Sequence, residues 1–271
     1  MQGLRTWVIN LDRAPDRLAR ISAQLRRLGL PFTRMPAVDA RALRPDQAAL
    51  LDEPAYRRKH GMTPVAGELG CYLSHVEVMR AFLADGDAAF ALVLEDDVLL
   101  HDSLPSVLRA LTGLAARKTP SARSVQAAQP APWDVVKLSG VHSGTPVAVH
   151  PLDAGHKLAV MLSRCTGSSA YLMNRRAAEA YLREPGGLLP MQLPYDHVFD
   201  QGWRFGLKLR MVTPWPCGHD ETAVSTIGTS AGTTRKFHWT QRLSTYAYRL
   251  RNEARRLRHG LAQVLREKLS G

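Results

Sequence analysis

The sequence predicts an α/β fold in which a mixed, mostly parallel sheet is flanked by helices. A short apolar run of strand-forming residues, TWVINL at 6–11, is followed by a segment with helical periodicity. The same alternation then recurs, with a candidate strand at 32–40, a helix from Gly67 and a strong strand at 89–98. Strands that alternate with helices are typical of a sheet whose connections cross over its faces.

Each element rests on a local pattern. The first helix, 12–29, has leucine and isoleucine at spacings of three and four, and Gly29 ends it. The helix from Gly67 has a core stripe with the same spacing. The remaining predicted elements are a helix at 103–118, a strand at 133–140, a hairpin of 147–152 with 157–162, a strand at 168–174, a helix at 175–184 and a last strand at 208–214.

The composition indicates a globular protein of the cytoplasm. The 271 residues are 45% apolar, and no apolar run reaches the roughly 18 residues that a membrane span requires. The first residues have the wrong charge order for a secretory signal, and three widely separated cysteines fit a reducing compartment. We predict one domain at 1–238, with a mobile surface loop at 119–132, and a separate C-terminal segment at 239–271.

The C-terminal segment is basic. Ten Lys/Arg against two Glu give residues 235–271 a net charge of +8, out of +12 for the chain. Leucines and Tyr246 recur through 243–265 among arginines, which predicts a basic amphipathic helix that would contact an anionic membrane. A solvated helix that closes the domain, or a partner-binding helix, is the alternative. Nucleic acid is not an expected partner, because the acids of the body cluster where a binding groove would be positive.

Three carboxylates, Glu95, Asp96 and Asp97, directly follow the strongest strand. Strand alternation predicts that Glu95 and Asp97 lie on one side, about 7 Å apart, with Asp96 on the other. Oxygen ligands at a strand end suit Mn²⁺ or Mg²⁺, and open α/β sheets bind ligands at this edge. The alternative is a solvated strand end whose acids cap the next helix.

Three segments together resemble glycosyltransferase family 25, which includes bacterial lipopolysaccharide glycosyltransferases and procollagen galactosyltransferases. They are VINLDRAPDRLARISAQL, GELGCYLSHVEVMRAFL and LVLEDDV, in this order and spacing. The likeness is strong over residues 6–100 and weaker through GSSAYLMNRRAAEAYL and LPYDHVFD. The resemblance implies a GT-A-like fold, a UDP-galactose or UDP-glucose donor and usually Mn²⁺.

The resemblance also assigns roles to residues. Asp97 would be the direct metal ligand, and Glu95 or Asp96 would hold the ribose or a metal-bound water. Glu95 and a late histidine, His219, are further candidate metal ligands, and STIGTSAG at 225–232 is either a lid over the donor or a plain linker. The other candidate donor-binding residues are Asn10, Arg13, Arg17, Asp39, Ser74 and His75, although the last two also suit satisfied core polar groups.

The expected chemistry is inverting transfer, for which one carboxylate must deprotonate the acceptor hydroxyl. Asp196 in PYDHVFDQ is the candidate base and Asp200 the reserve; the alternative for Asp196 is a helix N-cap. The predicted reaction moves galactose or glucose from a UDP-sugar to a cell-envelope glycolipid, such as the lipopolysaccharide core, at the inner face of the cytoplasmic membrane. A nucleotide-sugar-binding protein without catalysis and a metal-dependent hydrolase remain alternatives.

Overall fold

The computed structural model describes residues 3–117, 131–153, 155–219 and 237–270. Most of the predicted loop 119–132 and the candidate lid 225–232 lie outside these ranges. The strands are β1 (Leu4–Asn10), β2 (Thr33–Pro36), β3 (Phe90–Glu95), β4 (Val98–Leu100), β5 (Val135–Lys137), β6 (Pro146–Pro151), β7 (Lys157–Met161), β8 (Ala170–Asn174), β9 (Leu209–Thr213) and β10 (Cys217–His219). The α-helices are α1 (Pro15–Arg27), α2 (Pro45–Ala48), α3 (Glu53–His60), α4 (Ala66–Ala84), α5 (Leu104–Arg117), α6 (Arg175–Leu182), α7 (Tyr195–Phe199), α8 (Gly202–Phe205) and α9 (Leu243–Ser270).

Eight of the strands in the described part of the chain form one mixed sheet in the order β2-β1-β3-β8-β5-β9-β7-β6. From the pairing directions, β7 and β8 run opposite to the other six, so the sheet is mostly parallel as predicted. The predicted β6–β7 hairpin is confirmed. The strand at 208–214 is β9 but is not the last, because β10 follows and pairs with β4.

Helices cover both faces of the sheet, which produces two apolar cores. One core lies beneath α4 and α6 and also contains Tyr195 and Phe199 of α7. The other is formed with α1 and α5 on the opposite set of strand side chains, around Trp133. This layering buries the strands and leaves their ends as the open edges of the sheet.

Two local features place α4 beside the sheet edge. Glu68 accepts a hydrogen bond from the backbone N–H of Val65 at 3.0 Å, which caps the start of the helix. Gly70 allows close backbone approach, because a Cβ there would lie 2.6 Å from the Val38 carbonyl oxygen in the loop after β2. The start of α4 therefore lies directly against the loop after β2.

Candidate active site

The candidate site lies where the parallel strands β1 and β3 end side by side. Ile9 pairs with Glu95 across these strands, so Asn10 and the acidic triplet leave the sheet together. The prediction that Asp96 points away from its neighbours is wrong. β3 ends at Glu95 and residues 96–97 form a turn, so strand alternation stops and all three carboxylates line the same cavity.

The first cavity is open to solvent, and the space within it, including that open part, is about 630 Å³. It brings together predicted donor-binding and metal-binding side chains from three separate segments: the end of β1 with the start of α1, the helix α4, and the end of β3 with the turn after it. The loop after β2 completes the wall. The predicted residues that line it are Asn10, Arg13, Arg17, Ser74, His75, Glu95, Asp96 and Asp97.

Arg17 and Asn10 hold the two aspartates of the triplet. The Arg17 guanidinium lies 3.1 Å from Asp96 Oδ1 through Nε and 2.5 Å from Asp97 Oδ2 through Nη2. Asn10 Nδ2 donates to Asp96 Oδ2 at 2.6 Å and to the Ala14 carbonyl at 3.0 Å. In this structure Arg17 therefore pairs with the acids, and a donor phosphate would have to share it with them.

His75 holds Glu95 through a buried hydrogen-bond chain. Tyr195 Oη donates to Tyr171 Oη at 3.1 Å, Tyr171 Oη lies 2.9 Å from His75 Nδ1, and His75 Nε2 lies 3.3 Å from Glu95 Oε1. Burial raises the pKa of both tyrosines, so their hydroxyls stay protonated. A Tyr171 proton directed at Nδ1 leaves Nε2–H to donate to Glu95, and the imidazole also stacks on the Tyr195 ring at 4.0 Å.

A second cavity of about 730 Å³ adjoins the first, and Cys71, Glu95 and Asp97 line both. Asp196 lies on its wall, where Oδ2 accepts a hydrogen bond from the Gly167 N–H at 3.1 Å. Pro194 occupies the N-cap position of α7, so Asp196 is not an N-cap. Glu68 faces the same space and accepts a hydrogen bond from Tyr56 Oη at 2.7 Å.

Among the described residues, the side chains around the joined cavities do not balance their negative charge. The described lining has five carboxylates against two arginines: Glu68, Glu95, Asp96, Asp97 and Asp196, with Arg13 and Arg17. Burial raises the pKa of Asp97, and the Glu95 carboxylate adds to the effect; burial also raises the pKa values of Asp96 and Glu68. Asp97 Oδ1 is buried and has no hydrogen-bond partner among the described residues. The arrangement therefore has room, charge and an open oxygen ligand for a cation.

Three candidates, Ser74, Asp39 and His219, lie less directly in this site. Ser74 Oγ accepts from the Val38 N–H at 2.9 Å and donates to the Gly70 carbonyl at 2.7 Å, so its hydroxyl joins α4 to a neighbouring loop. Asp39 does not line the cavity, but it pairs at 3.0 Å with Arg13, which does. The backbone of His219 pairs with that of Val98, the residue directly after the acidic triplet. The side chain of His219 is not among the parts of the chain that the structure describes.

Asp200, the reserve base, is not in the cleft. It is 1% exposed, accepts a hydrogen bond from Arg256 Nη1, and lies 3.9 Å from Lys137 Nζ. A carboxylate held between two buried cations is an ion-pair anchor, because it is closed off from an acceptor sugar. The reserve assignment is therefore wrong.

Glu68 and Cys71 are further residues of the cleft that were not predicted from the sequence. Glu68, Cys71 and His75 follow one another at spacings of three and four, which places all three on one face of α4. This helical spacing could have predicted that Glu68 and Cys71 share a face with His75, but the apolar residues of the same helix have a similar spacing that dominates the pattern. Cys71, His75 and Glu95 also present one ligand atom each, all within 4.8 Å of one another. Burial raises the pKa of the Cys71 thiol well above its usual range, so the thiol stays protonated without a bound cation.

Comparisons with known proteins agree with this geometry. The family model "Glycosyltransferase family 25 (LPS biosynthesis protein)" matches residues 4–198. The chain is 34% identical over 96 residues to a glycosyltransferase 25 family member of Aedes aegypti, and 35% identical over 96 residues to procollagen galactosyltransferase 2 of Homo sapiens. These matches cover 34% of this chain and 16% and 15% of the relatives.

Another relative carries a different description. The inactive glycosyltransferase 25 family member 3 of Mus musculus is 35% identical over 101 residues, which are 36% of this chain and 17% of that protein. Among the described residues, no helix is both long enough and apolar enough to cross a membrane. The mixed sheet, the flanking helices and the acidic strand end are consistent with a GT-A-like fold. Because the family model covers most of the chain, the protein belongs to glycosyltransferase family 25.

Proposed function

We propose that the protein is a metal-dependent, inverting glycosyltransferase that moves galactose or glucose from a UDP-sugar to a hydroxyl of a cell-envelope glycolipid, such as the lipopolysaccharide core. The observation that supports this best is the pair of cavities that meet at Glu95 and Asp97. A transferase needs a donor site and an acceptor site that share the reacting centre. A glycolipid acceptor would place the protein at the inner face of the cytoplasmic membrane.

The first cavity suits the donor. Its acids and arginines lie at the end of β1 and β3, at the point where the strand order reverses around β1. Asp97 and Glu95 would hold Mn²⁺ or Mg²⁺, with His219 as a further candidate ligand, and the buried, unpaired Asp97 Oδ1 supports this assignment. The ion, when bound, would stabilise the charge of the departing UDP. Arg13 and Arg17 would contact the phosphates, and Asp39, beside Arg13, would accept hydrogen bonds from the ribose or uracil.

The second cavity suits the acceptor. Asp196 would take the proton of the attacking hydroxyl there, and the Gly167 N–H fixes one of its oxygens. His75 would orient Glu95 in the proposed site through the tyrosine chain, and Asn10 and Arg17 would orient Asp96. These contacts set the carboxylates in place before substrate binds.

The test is a transfer assay that follows UDP release and the glycosylated product, with purified lipooligosaccharide core as acceptor. Asp196→Asn should lower kcat by about 10²–10⁴-fold and leave the dissociation constant of the donor unchanged, because the base acts only on the acceptor. Glu68→Gln, on the same cavity wall, is the matched control and should retain most of kcat. Full turnover by Asp196→Asn would remove Asp196 from the mechanism.

The second candidate function is nucleotide-sugar binding without turnover. The relatives that are described as inactive members of the family favour it. It predicts metal-dependent UDP binding with no UDP release above buffer, for any acceptor. Slow donor hydrolysis alone would not separate the candidates, since water replaces the acceptor in many transferases, so formation of the glycosylated product is the deciding readout.

A further inference from the structure

Helix α9 presents its apolar side chains to solvent. Seven of its side chains are between 45% and 87% exposed and form a leucine stripe: Leu243, Tyr246, Leu250, Leu257, Leu261, Leu265 and Leu269. The face toward the body is mainly polar, with Thr245, Asn252, Arg256 and Gln263 buried beside Val264. A surface helix ordinarily buries its apolar stripe against the core, so α9 has the reverse orientation.

Buried polar contacts fix this orientation. Arg256 pairs with Asp200 in the interior, and Arg210 of β9 lies 3.1 Å from Glu267 and bonds to Gln263. Turning the stripe inward would leave Asp200 and Arg210 in the interior without their partners on α9, which is strongly destabilising for each broken pair. The exposed stripe is therefore a stable feature of the fold.

A basic groove runs along one flank of the helix. It lies between α8, α9 and the end of α3, and Lys59, Arg204, Arg255 and Arg258 line it with the aromatic rings of Trp203 and Tyr248. The described residues that line it include no carboxylate. Burial lowers the pKa of Lys59, and the neighbouring Arg204 and Arg58 add to this effect, which Asp52 opposes.

We propose that the leucine stripe and the basic groove together form a docking surface for an anionic lipid bilayer. Leucines would enter the boundary between headgroups and acyl chains, and the groove would take lipid phosphates, which arginine binds through two N–H donors. The exposed charged residues of α9 are Arg251, Arg255, Arg258, Arg266 and Lys268 against Glu253 alone. A second copy of this chain would bring like charges together, whereas an anionic surface neutralises them.

The docking surface and the acceptor cavity belong to neighbouring elements. α9 packs on α3 and shares a pocket with His60 of α3 and His197 of α7. His197 directly follows Asp196, and Arg249 of α9 is among the charges that lower its pKa. A membrane held by α9 would thus lie next to the elements that carry the proposed base. The docking surface is formed by α9 and its neighbours, so its proposed binding to membranes does not depend on transferase activity.

The test is flotation of the full chain with vesicles of phosphatidylcholine alone and of phosphatidylcholine with phosphatidylglycerol. Each arginine near an anionic surface contributes about five-fold to partitioning, so Arg255→Glu/Arg258→Glu should weaken binding by at least about 25-fold. Leu250→Ser/Leu261→Ser should also weaken it by more than ten-fold. Arg26→Glu/Arg109→Glu, the same charge change on exposed positions of α1 and α5, is the control and should bind nearly as the wild type does. Thermal unfolding checks that every variant is folded.

Three results would overturn the proposal. One is equal retention by neutral and anionic vesicles, or by neither. Another is a control variant that loses as much binding as the groove variant. The third is a wild-type dimer in light scattering that Leu250→Ser/Leu261→Ser converts to monomer, because the stripe would then bind a second copy. The vesicles contain no donor or sugar acceptor, so these results are separate from the fate of the transferase proposal.

Discussion

Replacement of Asp200 by asparagine tests whether Asp200 is a structural carboxylate and Asp196 the catalytic one. The side chain keeps its size, and the charge between Lys137 and Arg256 is lost. These cations are 0% and 6% exposed, so water cannot replace the carboxylate. Breaking a buried ion pair by removing one partner costs about 3–5 kcal/mol. At about 2–4 °C per kcal/mol for a protein of this size, Tm should fall by about 10 °C.

The assay is thermal unfolding by circular dichroism, together with the transfer assay below the lowered Tm. Asp200→Asn should retain most of the turnover of the wild type, whereas Asp196→Asn should retain Tm and lose turnover. A double-mutant cycle with Arg256→Met should give a coupling energy of at least about 1 kcal/mol, because the two groups touch. If Asp200→Asn unfolds at the wild-type temperature but is inactive, Asp200 is the base and the reasoning from burial is refuted.

Three other perturbations test the packing and the site. Burial lowers the pKa of His60 to about 4, so the unfolded chain protonates first on acidification. His60 should therefore contribute about 2 kcal/mol to the stability lost between pH 7 and pH 5 in urea unfolding. His60→Gln should reduce that loss by about this amount, and an unchanged difference would contradict this. Gly70→Ala should lower the free energy of unfolding by about 1–3 kcal/mol in thermal unfolding, because its Cβ would meet a carbonyl oxygen. Gly113→Ala, the control at an open position of α5, should raise the free energy of unfolding by up to about 1 kcal/mol. Equal effects of the two substitutions would argue against the close contact at Gly70. His75→Ala should lower kcat by about 10–100-fold, because Glu95 loses its hydrogen bond, and His75→Gln should restore part of the rate. A His75→Ala variant with the kcat and the pH–rate profile of the wild type would refute this positioning role.

The elements that position the site were predictable because they carry strong local signals. Helical spacing of apolar residues located α1 and α4, and the apolar run before Glu95 located β3. Parallel strands then bring their carboxyl ends to one edge, so the convergence of Asn10, Glu95 and the aspartates follows from topology.

Other features depend on packing that a single sequence does not display. The turn at 96–97 overrode strand alternation and brought Asp96 to the side of its neighbours. The partner of Asp200 is Arg256, 56 residues away, and only the docking of α9 reveals the pair. The direction of the α9 leucine stripe is also a tertiary property, because buried polar contacts and not apolar burial decide it.

The measurement that tests the central claim most directly is thermal unfolding of the wild type and of Asp97→Ala with UDP, UDP-galactose, UDP-glucose and GDP-sugars, each with and without Mn²⁺. A donor at 100 times its dissociation constant should stabilise the folded protein by about 2.7 kcal/mol. The account predicts that UDP species stabilise the wild type only with Mn²⁺, and that Asp97→Ala loses the effect. Absence of any nucleotide-dependent shift in the folded wild type would contradict a donor site at the end of β3.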